Sequence, residues 1–311
     1  MRRIAMRLAQ AVLVVWGAFT VSFVVLYLVP GDSVSVMLNA GGGTAVDPEA
    51  EARLRADLGL DGSFLHRYLH DLGNYLHFDL GRSADLGASV GHLIGLAVPP
   101  TVALTLCAMA MSVLFGVGFA VLVSRWPRSP LARAARILPA FGNSVPTFWV
   151  ALILLQLFSF NIRIFPVTGQ GTWYAIVLPA VTIAIPYGAM IAQVALDGIR
   201  RAQAEMYIMT ARAKGVGATA VHLRHVLPSS LLPVVSVIGV NFGTLLAGAV
   251  ISETIYSRQG LGSLMQTAVL QRDLPLVQGT IVVTAAMFVL VNLVTDAAYP
   301  LIDPRVRRAA R

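Results

Sequence analysis

Charge is scarce in this sequence, and lysine is almost absent from it. Of its 311 residues, 12% are charged and 57% are hydrophobic, whereas charged residues make up about 25% of an ordinary soluble domain. The only lysine, Lys214, stands directly before Gly215, so the chain lacks the Gly-x-x-x-x-Gly-Lys-Ser/Thr loop that holds nucleotide phosphates. These absences exclude an ordinary soluble domain and leave no nucleotide chemistry to assign. We therefore predict a membrane protein that is not itself an enzyme.

Cysteine is equally rare. Cys107 is the one cysteine, which excludes an internal disulfide, and its place in an apolar run is typical of a small core residue. His66 and His70 lie one helical turn apart and His77 follows them, but no Cys or Glu completes a set of metal ligands there. We interpret these histidines as part of a solvated polar face and predict no metal site.

Six apolar segments are long enough to cross a membrane. At 1.5 Å per helical residue, the first segment, of about 22 residues, spans a hydrocarbon core of about 30 Å. The six run from Leu8 to Val29, Thr101 to Val123, Ile137 to Phe160, Thr172 to Leu196, Ser229 to Ile251 and Val277 to Tyr299. No small-x-small cleavage site follows the first segment, so we expect it to be an uncleaved span and not a signal peptide.

Arginine is concentrated in alternate connections between these segments. Arginines precede the first segment, fill the connections after the second and the fourth, and end the chain, while most acids lie in the other connections. Because positive charge beside membrane spans marks the cytoplasmic side, both termini are predicted to be cytoplasmic. The net charge of +8 then reflects membrane topology and does not indicate a nucleic-acid partner. The predicted fold class is all-α, a polytopic protein with six transmembrane helices.

The connection after the first span is long and polar, and we predict an extracytoplasmic helical insert over residues 31–98. Asp47 is typical of a helix start, and Ser63 precedes a second helical pattern. One apolar stripe in that pattern is formed by Leu65, Tyr68, Leu69, Leu72, Tyr75 and Leu76. The chain thus divides into an N-terminal end with the first helix at 1–30, this insert, and a transmembrane core of five helices at 99–311.

Polar residues within the apolar segments are candidates for a translocation pathway. They would be costly if they faced lipid, so they should face the interior of the helix bundle or a route through it. The candidates are Asn143, Ser144, Gln193, Ser236, Asn241 and Thr244. For each of them a role in packing between helices is an equal alternative. Prolines in the same segments, such as Pro146 and Pro186, are typical of helices that bend or line a cavity.

The connection at 200–228 contains the most distinctive pattern of the chain. Apolar residues recur there at helical spacing, namely Ala202, Met206, Met209 and Ala213. They predict a short helix with one apolar stripe. Gly215 fits the position past its end, where a left-handed residue is favourable, and a second short helix is predicted from Ala218 to Val226. Taken alone, the segment also fits an ordinary basic loop that records only topology.

This connection carries the motif Tyr-x-x-Thr-Ala-Arg-Ala-Lys-Gly, followed by Arg-His and Leu-Pro. With the acid that precedes them, the residues concerned are Glu205, Tyr207, Thr210, Ala211, Arg212, Ala213, Lys214, Gly215, Arg224, His225, Leu227 and Pro228. The motif resembles the ATPase-coupling loop of the dipeptide and oligopeptide permeases, a branch of the bacterial ATP-binding-cassette (ABC) importers. Met206 departs from the pattern of that branch, which usually has an acid at this position.

Further motifs extend the resemblance over nearly the whole chain, from Leu28 to Arg305. The first span is followed by Pro-Gly-Asp, and Asp-x-x-Tyr precedes Asp-Pro-Arg near the other end. Between the fifth and sixth spans we predict an outward connection with a weakly polar helix at Leu261 to Leu270. Its residues that match the family are Glu253, Gly260, Gly262, Arg272 and Asp273.

The resemblance implies a fold and a set of partners. It implies the type I ABC importer permease fold in the bacterial cytoplasmic (inner) membrane, with no cofactor in this chain. The implied partners, besides the lipid bilayer, are a second related permease chain, two cytoplasmic ATPase subunits that hold ATP and magnesium, and an extracytoplasmic peptide-binding protein. Coupling would run through 205–228, with Val216 or Val221 in a groove of the ATPase. Nickel and glutathione permeases share this framework, and an ion-coupled secondary transporter is an alternative of another class.

Overall fold

The chain folds into helices. The computed structural model describes residues 2–28, 63–126, 129–167 and 173–302. These ranges contain no β-strand, only an isolated bridge between Arg82 and Ser89. The predicted helix start at Asp47 and the Asp-Pro-Arg motif that ends at Arg305 lie outside them. The predicted all-α class is confirmed for the described residues.

The helices follow one another closely along the chain. In chain order they are α1 (Arg2–Leu28), α2 (Phe64–Leu76), α3 (Val90–Arg125), α4 (Pro130–Ala135), α5 (Leu138–Ser144), α6 (Thr147–Leu154), α7 (Val177–Gln203), α8 (Met206–Ala213), α9 (Ala218–Val221), α10 (Leu227–Ser230), α11 (Leu232–Ile255), α12 (Leu261–Leu270) and α13 (Leu274–Ile302). Wider π-helical turns extend α6 over Leu155–Asn161 and α9 over His222–Val226, and a 3-10 turn at Trp173–Ile176 precedes α7.

The helices account for up to six membrane spans, the number predicted. By length and composition four stretches can each cross a membrane, namely Ala5–Leu28, Val90–Arg125, Tyr174–Gln203 and Leu274–Thr295. Two bent helix pairs raise the number to six when each pair counts as one span. The pairs are Pro130–Ser144 with Thr147–Asn161 and Ala218–Ser230 with Pro233–Gly239. In the second pair, Pro233–Gly239 belongs to α11, which corresponds to the predicted fifth span, whereas Ala218–Ser230 overlaps the predicted coupling loop.

The third span is bent, whereas we predicted one run from Ile137 to Phe160. The helix pair that forms it bends by 102°. Val145 has φ −80° and ψ 126°, an extended conformation that ends α5. The ring of Pro146 pushes the preceding residue out of the helical region, which explains the position of the break.

The second span begins earlier than predicted. α3 starts at Val90, inside the stretch that we assigned to the insert, and runs through Pro99 and Pro100. Two prolines remove two backbone donors from the helix and weaken it locally. The turns before them are nevertheless held in place, because Val90, Ile94 and Ala97 are buried in a hydrophobic cluster. The helix therefore crosses the boundary that we placed after residue 98.

The chain forms two compact units, each with its own hydrophobic core. The units consist of Met1–Pro100 with Gln259–Leu290 and of Thr101–Arg258 with Val291–Arg311. In the first unit, Val90, Leu261 and Leu276 belong to the core. In the second unit, Ile191 and Ile208 belong to the largest cluster. The two long helices α3 and α13 contribute residues to both units.

In the first unit, α2 packs on α1 through aromatic rings. The ring centre of Tyr68 lies 5.6 Å from that of Phe19 and 5.4 Å from that of Phe23. Its hydroxyl lies 2.9 Å from Thr20 Oγ1. The predicted apolar stripe of α2 is therefore split between two environments. Its tyrosines face α1, whereas the exposed members are Leu65, Leu69 and Leu76.

In the second unit, α7 is the central helix, and α5, α6, α10 and α11 pack against it. Its contact with α3 depends on glycine. A Cβ at Gly116 on α3 would lie 2.5 Å from the carbonyl oxygen of Gly188 on α7 and 2.8 Å from the Ile191 side chain. Small residues at such positions let membrane helices approach closely, so the α3–α7 distance is set by these glycines.

We expect Gly116→Ala to destabilise the protein and Gly118→Ala to leave its stability unchanged. The first variant forces α3 and α7 apart, at a cost of about 1–3 kcal/mol. The second is a matched control on the same helix, because nothing lies within 4 Å of a Cβ at Gly118. The measurement is the midpoint of thermal unfolding in detergent. Equal midpoints for the two variants would contradict the close packing of these helices.

Candidate coupling loop and translocation pathway

The short helix α8 is the centre of the predicted coupling loop, and it ends as the sequence predicts. Gly215 follows it with φ 80°, the left-handed conformation expected. Its N–H donates to the carbonyl of Arg212 at 3.0 Å, and the N–H of Val216 donates to that of Ala211 at 3.2 Å. This pair of hydrogen bonds is the Schellman arrangement, which satisfies the last carbonyls of a helix. The exit of the chain from α8 is therefore fixed by one glycine.

Tyr207 ties α8 to the segment that leads into α10. Its hydroxyl donates to the carbonyl of His225 at 3.3 Å and lies 3.0 Å from Ser229 Oγ. Ser229 Oγ donates to the same carbonyl at 3.1 Å. Two residues of the predicted motif that are 18 positions apart are thus brought into contact. These bonds connect α8 directly with α10 and with the turn before it.

One face of α8 is buried and the other is open. Ile208 is fully buried in the largest hydrophobic cluster of the second unit. On the opposite face Met206 is 82% exposed and Met209 is 66% exposed, and Thr210 and Ala213 are exposed beside them. We call Met206, Met209, Thr210 and Ala213 the outer face of α8. It is a mainly apolar surface that the described residues leave uncovered.

Two expectations for this segment are corrected by the structure. Ala202 belongs to α7 and is buried, so the stripe that we drew from it to Ala213 is divided between two helices. Val216 and Val221, expected in a groove of the ATPase, pack into the protein's own core, where Val221 is 1% exposed. These valines hold the loop on the helices below it. The large aliphatic side chains of this loop that stay exposed are the two methionines of the outer face and Leu223.

The other predicted coupling residues surround α8. The exposed basic ones are Arg212, Lys214, Arg224 and His225. Glu205 directly precedes α8 in an extended conformation. Leu227 packs against the hydrophobic cluster, and Pro228 lies in the first turn of α10, where its missing N–H is no loss. The roles of all these residues in coupling stay predictions.

Four of the six predicted pathway residues lie near one tyrosine of α7, Tyr187. Asn143 and Ser144 line a cavity of about 300 Å³ together with this tyrosine. The Tyr187 hydroxyl donates to the carbonyl of Thr244 at 2.9 Å, and Thr244 Oγ1 donates to that of Asn241 at 2.7 Å. Polar groups from α5, α7 and α11 therefore converge at the bend of the third span.

Tyr187 itself was not among the residues predicted from the sequence. The pattern that could have identified it is a polar aromatic residue directly after a proline within a span. That proline, Pro186, also lines the cavity. The remaining two candidates, Gln193 on α7 and Ser236 on α11, are half-buried. Of the six candidates, only Asn143 and Ser144 line this cavity itself, and Thr244 is joined to it through the hydrogen bond from Tyr187. Convergence of the other four depends on how the helices pack, which polarity alone does not predict.

A second cavity, of about 560 Å³, lies along the same face of α7. Of the α7 residues that line the two cavities, five follow one another at steps of three and four, namely Tyr187, Met190, Val194, Asp197 and Arg201, and the other three, Pro186, Gly198 and Ala202, each lie next to one of these five in the sequence. Residues at these steps share one face of a helix. Glu205 and Tyr207 also line the second cavity. One face of α7 therefore connects the polar cluster with the coupling loop.

Glu253 lies in a helix, whereas we predicted it in the outward connection. It is part of α11, which ends at Ile255, and it is fully buried. Thr101 Oγ1 on α3 donates to its Oε1 at 2.6 Å. A buried carboxyl group needs hydrogen-bond donors. This residue therefore joins α3 and α11 and is not open to a binding protein.

The other predicted residues of the outward connection lie in the first unit. The predicted helix is confirmed as α12, at Leu261–Leu270. The Gly260 N–H at its start donates to Ser263 Oγ at 2.9 Å. Gly262 is buried in its first turn. These two glycines therefore serve the start of a packed helix.

Arg272 and Asp273 form the turn between α12 and α13. Asp273 is buried, and it accepts hydrogen bonds from Ser83 Oγ and from the N–H of Leu276 in the first turn of α13. Arg272 is exposed with φ 55°, a conformation that costs a non-glycine residue about 1–2 kcal/mol. Asp273 thus has a structural role. Arg272 is the residue of this predicted set whose side chain is exposed.

No group of three or more His, Cys, Asp or Glu side chains suited to a metal ion occurs in the part of the chain that the structure describes. His70 Nδ1 lies 3.4 Å from Asp71 Oδ1 on α2. Burial raises the pKa of Asp71, while His70 and Arg67 partly offset that rise. On the predicted solvated face of α2, these two neighbouring side chains form a local His–Asp pair.

Apolar helices long enough to cross a membrane, bent helix pairs and polar cavities are the features expected of a membrane transport permease. Residues 112–308 match the family described as "Binding-protein-dependent transport system inner membrane component". The match covers more than half of the chain. The chain therefore belongs to this family of inner-membrane ABC permeases.

Relatives match the chain over nearly its full length. It is 34% identical over 305 residues to the probable peptide ABC transporter permease protein y4tP of Sinorhizobium fredii, covering 96% of each chain. It is 33% identical over 332 residues to the di/tripeptide transport system permease protein DppB of Pseudomonas aeruginosa, covering 98% of each. It is also 34% identical over 285 residues to the glutathione transport system permease protein GsiC of Pectobacterium atrosepticum, covering 92% of each.

Solved structures share the fold. A chain of the inward-facing MetNI methionine ABC transporter superposes with a TM-score of 0.56 at 15% identity, covering 68% of this chain and 96% of that one. A chain of an amino acid ABC transporter with histidines gives 0.53 at 19% identity, covering 68% and 94%. The predicted permease fold is confirmed by these likenesses.

Proposed function

We propose that the chain is one permease subunit of an ATP-driven importer of short peptides. The observation that carries the proposal is its similarity, over 96% and 98% of its length, to a peptide and a di/tripeptide permease. The cavity at Tyr187 supports it, because the side chains of Asn143 and Ser144 offer both donors and acceptors. Such groups match the amide N–H and carbonyl of a peptide cargo.

The importer that we propose contains several chains. A second related permease completes the membrane part, and two cytoplasmic ATPase subunits hold ATP and magnesium, since this chain lacks a phosphate-binding loop. In this proposal both termini and 200–228 lie on the cytoplasmic side, and the arginine-rich connections support that orientation. The insert at 31–98 and the exposed Arg272 then face outward, where an extracytoplasmic binding protein delivers the peptide.

Coupling in this proposal starts at the outer face of α8. Met206 and Met209 enter an apolar groove of the ATPase, and Lys214 and Arg224 meet acids at its rim. The buried Ile208 and the hydrogen bonds of Tyr207 make the loop move with the helices to which it is attached. ATP-driven closure of two ATPases then moves α7, and the cavities along its face open alternately to the two sides of the membrane.

The test is uptake of a labelled dipeptide into liposomes that contain this chain with its permease, ATPase and binding-protein partners. We expect uptake that requires ATP and the binding protein. Unlabelled glutathione and nickel are tested as competitors, because a glutathione permease is as similar to this chain as a peptide permease. Uptake by this chain alone, driven by an ion gradient, would contradict the proposal and favour a secondary transporter.

A further inference from the structure

A third cavity has no part in the function proposed above. It has a volume of about 310 Å³ and lies in the second unit, where the end of α3 meets the coupling loop. Ser124 and Arg125 at the end of α3 line it, together with Trp126 directly after the helix. The polar lining residues from α7, α8 and the segment of α9 are Gln203, Arg212, Thr219 and His222. Apolar residues of the core complete the lining, including Val221 and Val226.

The cavity is basic and contains no acid among the residues that line it. Its two guanidinium groups belong to Arg125 and Arg212, and neither forms an ion pair with a described residue. The Arg125 guanidinium instead lies 5.9 Å from the ring centre of Trp126. Two cations that share a concave site without a counter-charge create a positive potential that attracts an anion.

Uncharged hydrogen-bonding groups complete the lining. Ser124 Oγ lies 3.2 Å from His222 Nε2, and His222 is 9% exposed. Burial lowers the pKa of His222, and the nearby Arg125 guanidinium lowers it further. Both effects favour the neutral imidazole. Together with the hydroxyl of Thr219 and the amide of Gln203, these groups supply donors beside the two fixed charges.

We propose that this cavity binds a phosphate group, supplied by the headgroup of an anionic membrane phospholipid. Guanidinium groups with neighbouring hydroxyl donors match the oxygens of a phosphate. Trp126 directly follows the last residue of the α3 span, and tryptophan favours the level of the lipid headgroups. Basic pockets at the cytoplasmic ends of membrane helices bind such headgroups. The cytoplasmic placement of this cavity rests on the topology in the proposed function.

Binding there has a structural consequence for the coupling loop. Arg125 belongs to a membrane span, whereas Arg212 belongs to the last turn of α8. A phosphate held by both would bridge the span and α8 and neutralise the repulsion between their two charges. We therefore expect an anionic lipid to stabilise the loop in the position that the structure shows.

The experiment measures binding of short-chain phosphatidylglycerol to the full-length chain in nonionic detergent by native mass spectrometry. Equally short phosphatidylcholine and inorganic phosphate are the comparison ligands, since the two arginines repel the choline cation. We expect phosphatidylglycerol to bind about tenfold more tightly than phosphatidylcholine. The Arg125→Gln/Arg212→Gln variant should lose this preference, whereas Arg133→Gln, which removes an exposed arginine outside the cavity, should keep it.

The other possible results contradict either the site or the lipid as the source of the phosphate. Equal binding of the two lipids, or an unchanged preference in the double variant, would overturn the site. Inorganic phosphate that binds as tightly as phosphatidylglycerol, and is lost in the double variant, would overturn the lipid source and support the phosphate site. Thr219→Asp provides a second test, since it adds a carboxylate to the cavity from an exposed position and should abolish the preference. Because no ATP, ATPase or peptide is present, failure of peptide uptake would not change this result.

Discussion

Gly215→Pro should abolish ATP-driven uptake while the transmembrane helices stay folded. Gly215 has φ 80°, whereas proline is fixed near −65°. Proline also removes the N–H that donates to the carbonyl of Arg212 at 3.0 Å. It further disfavours the conformation of Lys214, which has φ −76° and ψ 5°. All three effects unwind the end of α8, so its outer face loses the orientation that coupling requires.

Gly215→Asn is the matched control. Asparagine tolerates the left-handed conformation better than other non-glycine residues, and nothing lies within 4 Å of a Cβ at this position. We expect uptake to fall more than about tenfold in the proline variant, as for other small misplacements of a working group, and to remain close to wild type with asparagine. ATPase activity is measured in the same liposomes, because uncoupling leaves hydrolysis with little uptake. Normal uptake by a normally expressed proline variant would refute the coupling role.

Met209→Glu should separate the chain from its ATPase without unfolding it. Met209 is 66% exposed, so the substitution changes the stability of the free chain by no more than about 0.5 kcal/mol. In the proposed complex the same side chain lies in an apolar groove, where an unpaired carboxylate is costly. A penalty of about 3 kcal/mol weakens binding about a hundredfold. The measurement is co-purification of the ATPase subunits with the co-expressed permease.

Two controls separate a lost contact from a general effect of charge. Leu131→Glu introduces the same carboxylate at a leucine of α4 that is 78% exposed and lies outside the outer face of α8. Met209→Leu keeps the apolar volume, a change that packed surfaces tolerate. Both should retain the ATPase. Retention by Met209→Glu, or equal loss in Met209→Glu and Leu131→Glu, would show that the groove does not receive this residue.

Which apolar residues face a partner was not predictable from their spacing. Val216 and Val221 stand in a basic loop and are as apolar as Met206 and Met209. The valines pack against a core to which α3, α7 and α11 contribute, whereas the methionines are open because they lie on the opposite face of α8 from the buried Ile208. Spacing defines a stripe along a helix but does not say which side of it the rest of the chain occupies.

The fold class, the number of spans and the end of α8 were determined by the sequence alone. Hydrophobic length is a local property that the bilayer thickness converts into a span, and the left-handed turn at Gly215 depends on one residue type. Tertiary structure decided the rest. The bend at Pro146, the burial of Glu253 beside Thr101, and the convergence of polar groups on Tyr187 depend on which helices lie next to each other. Those contacts join residues far apart in the chain, and no local pattern encodes them.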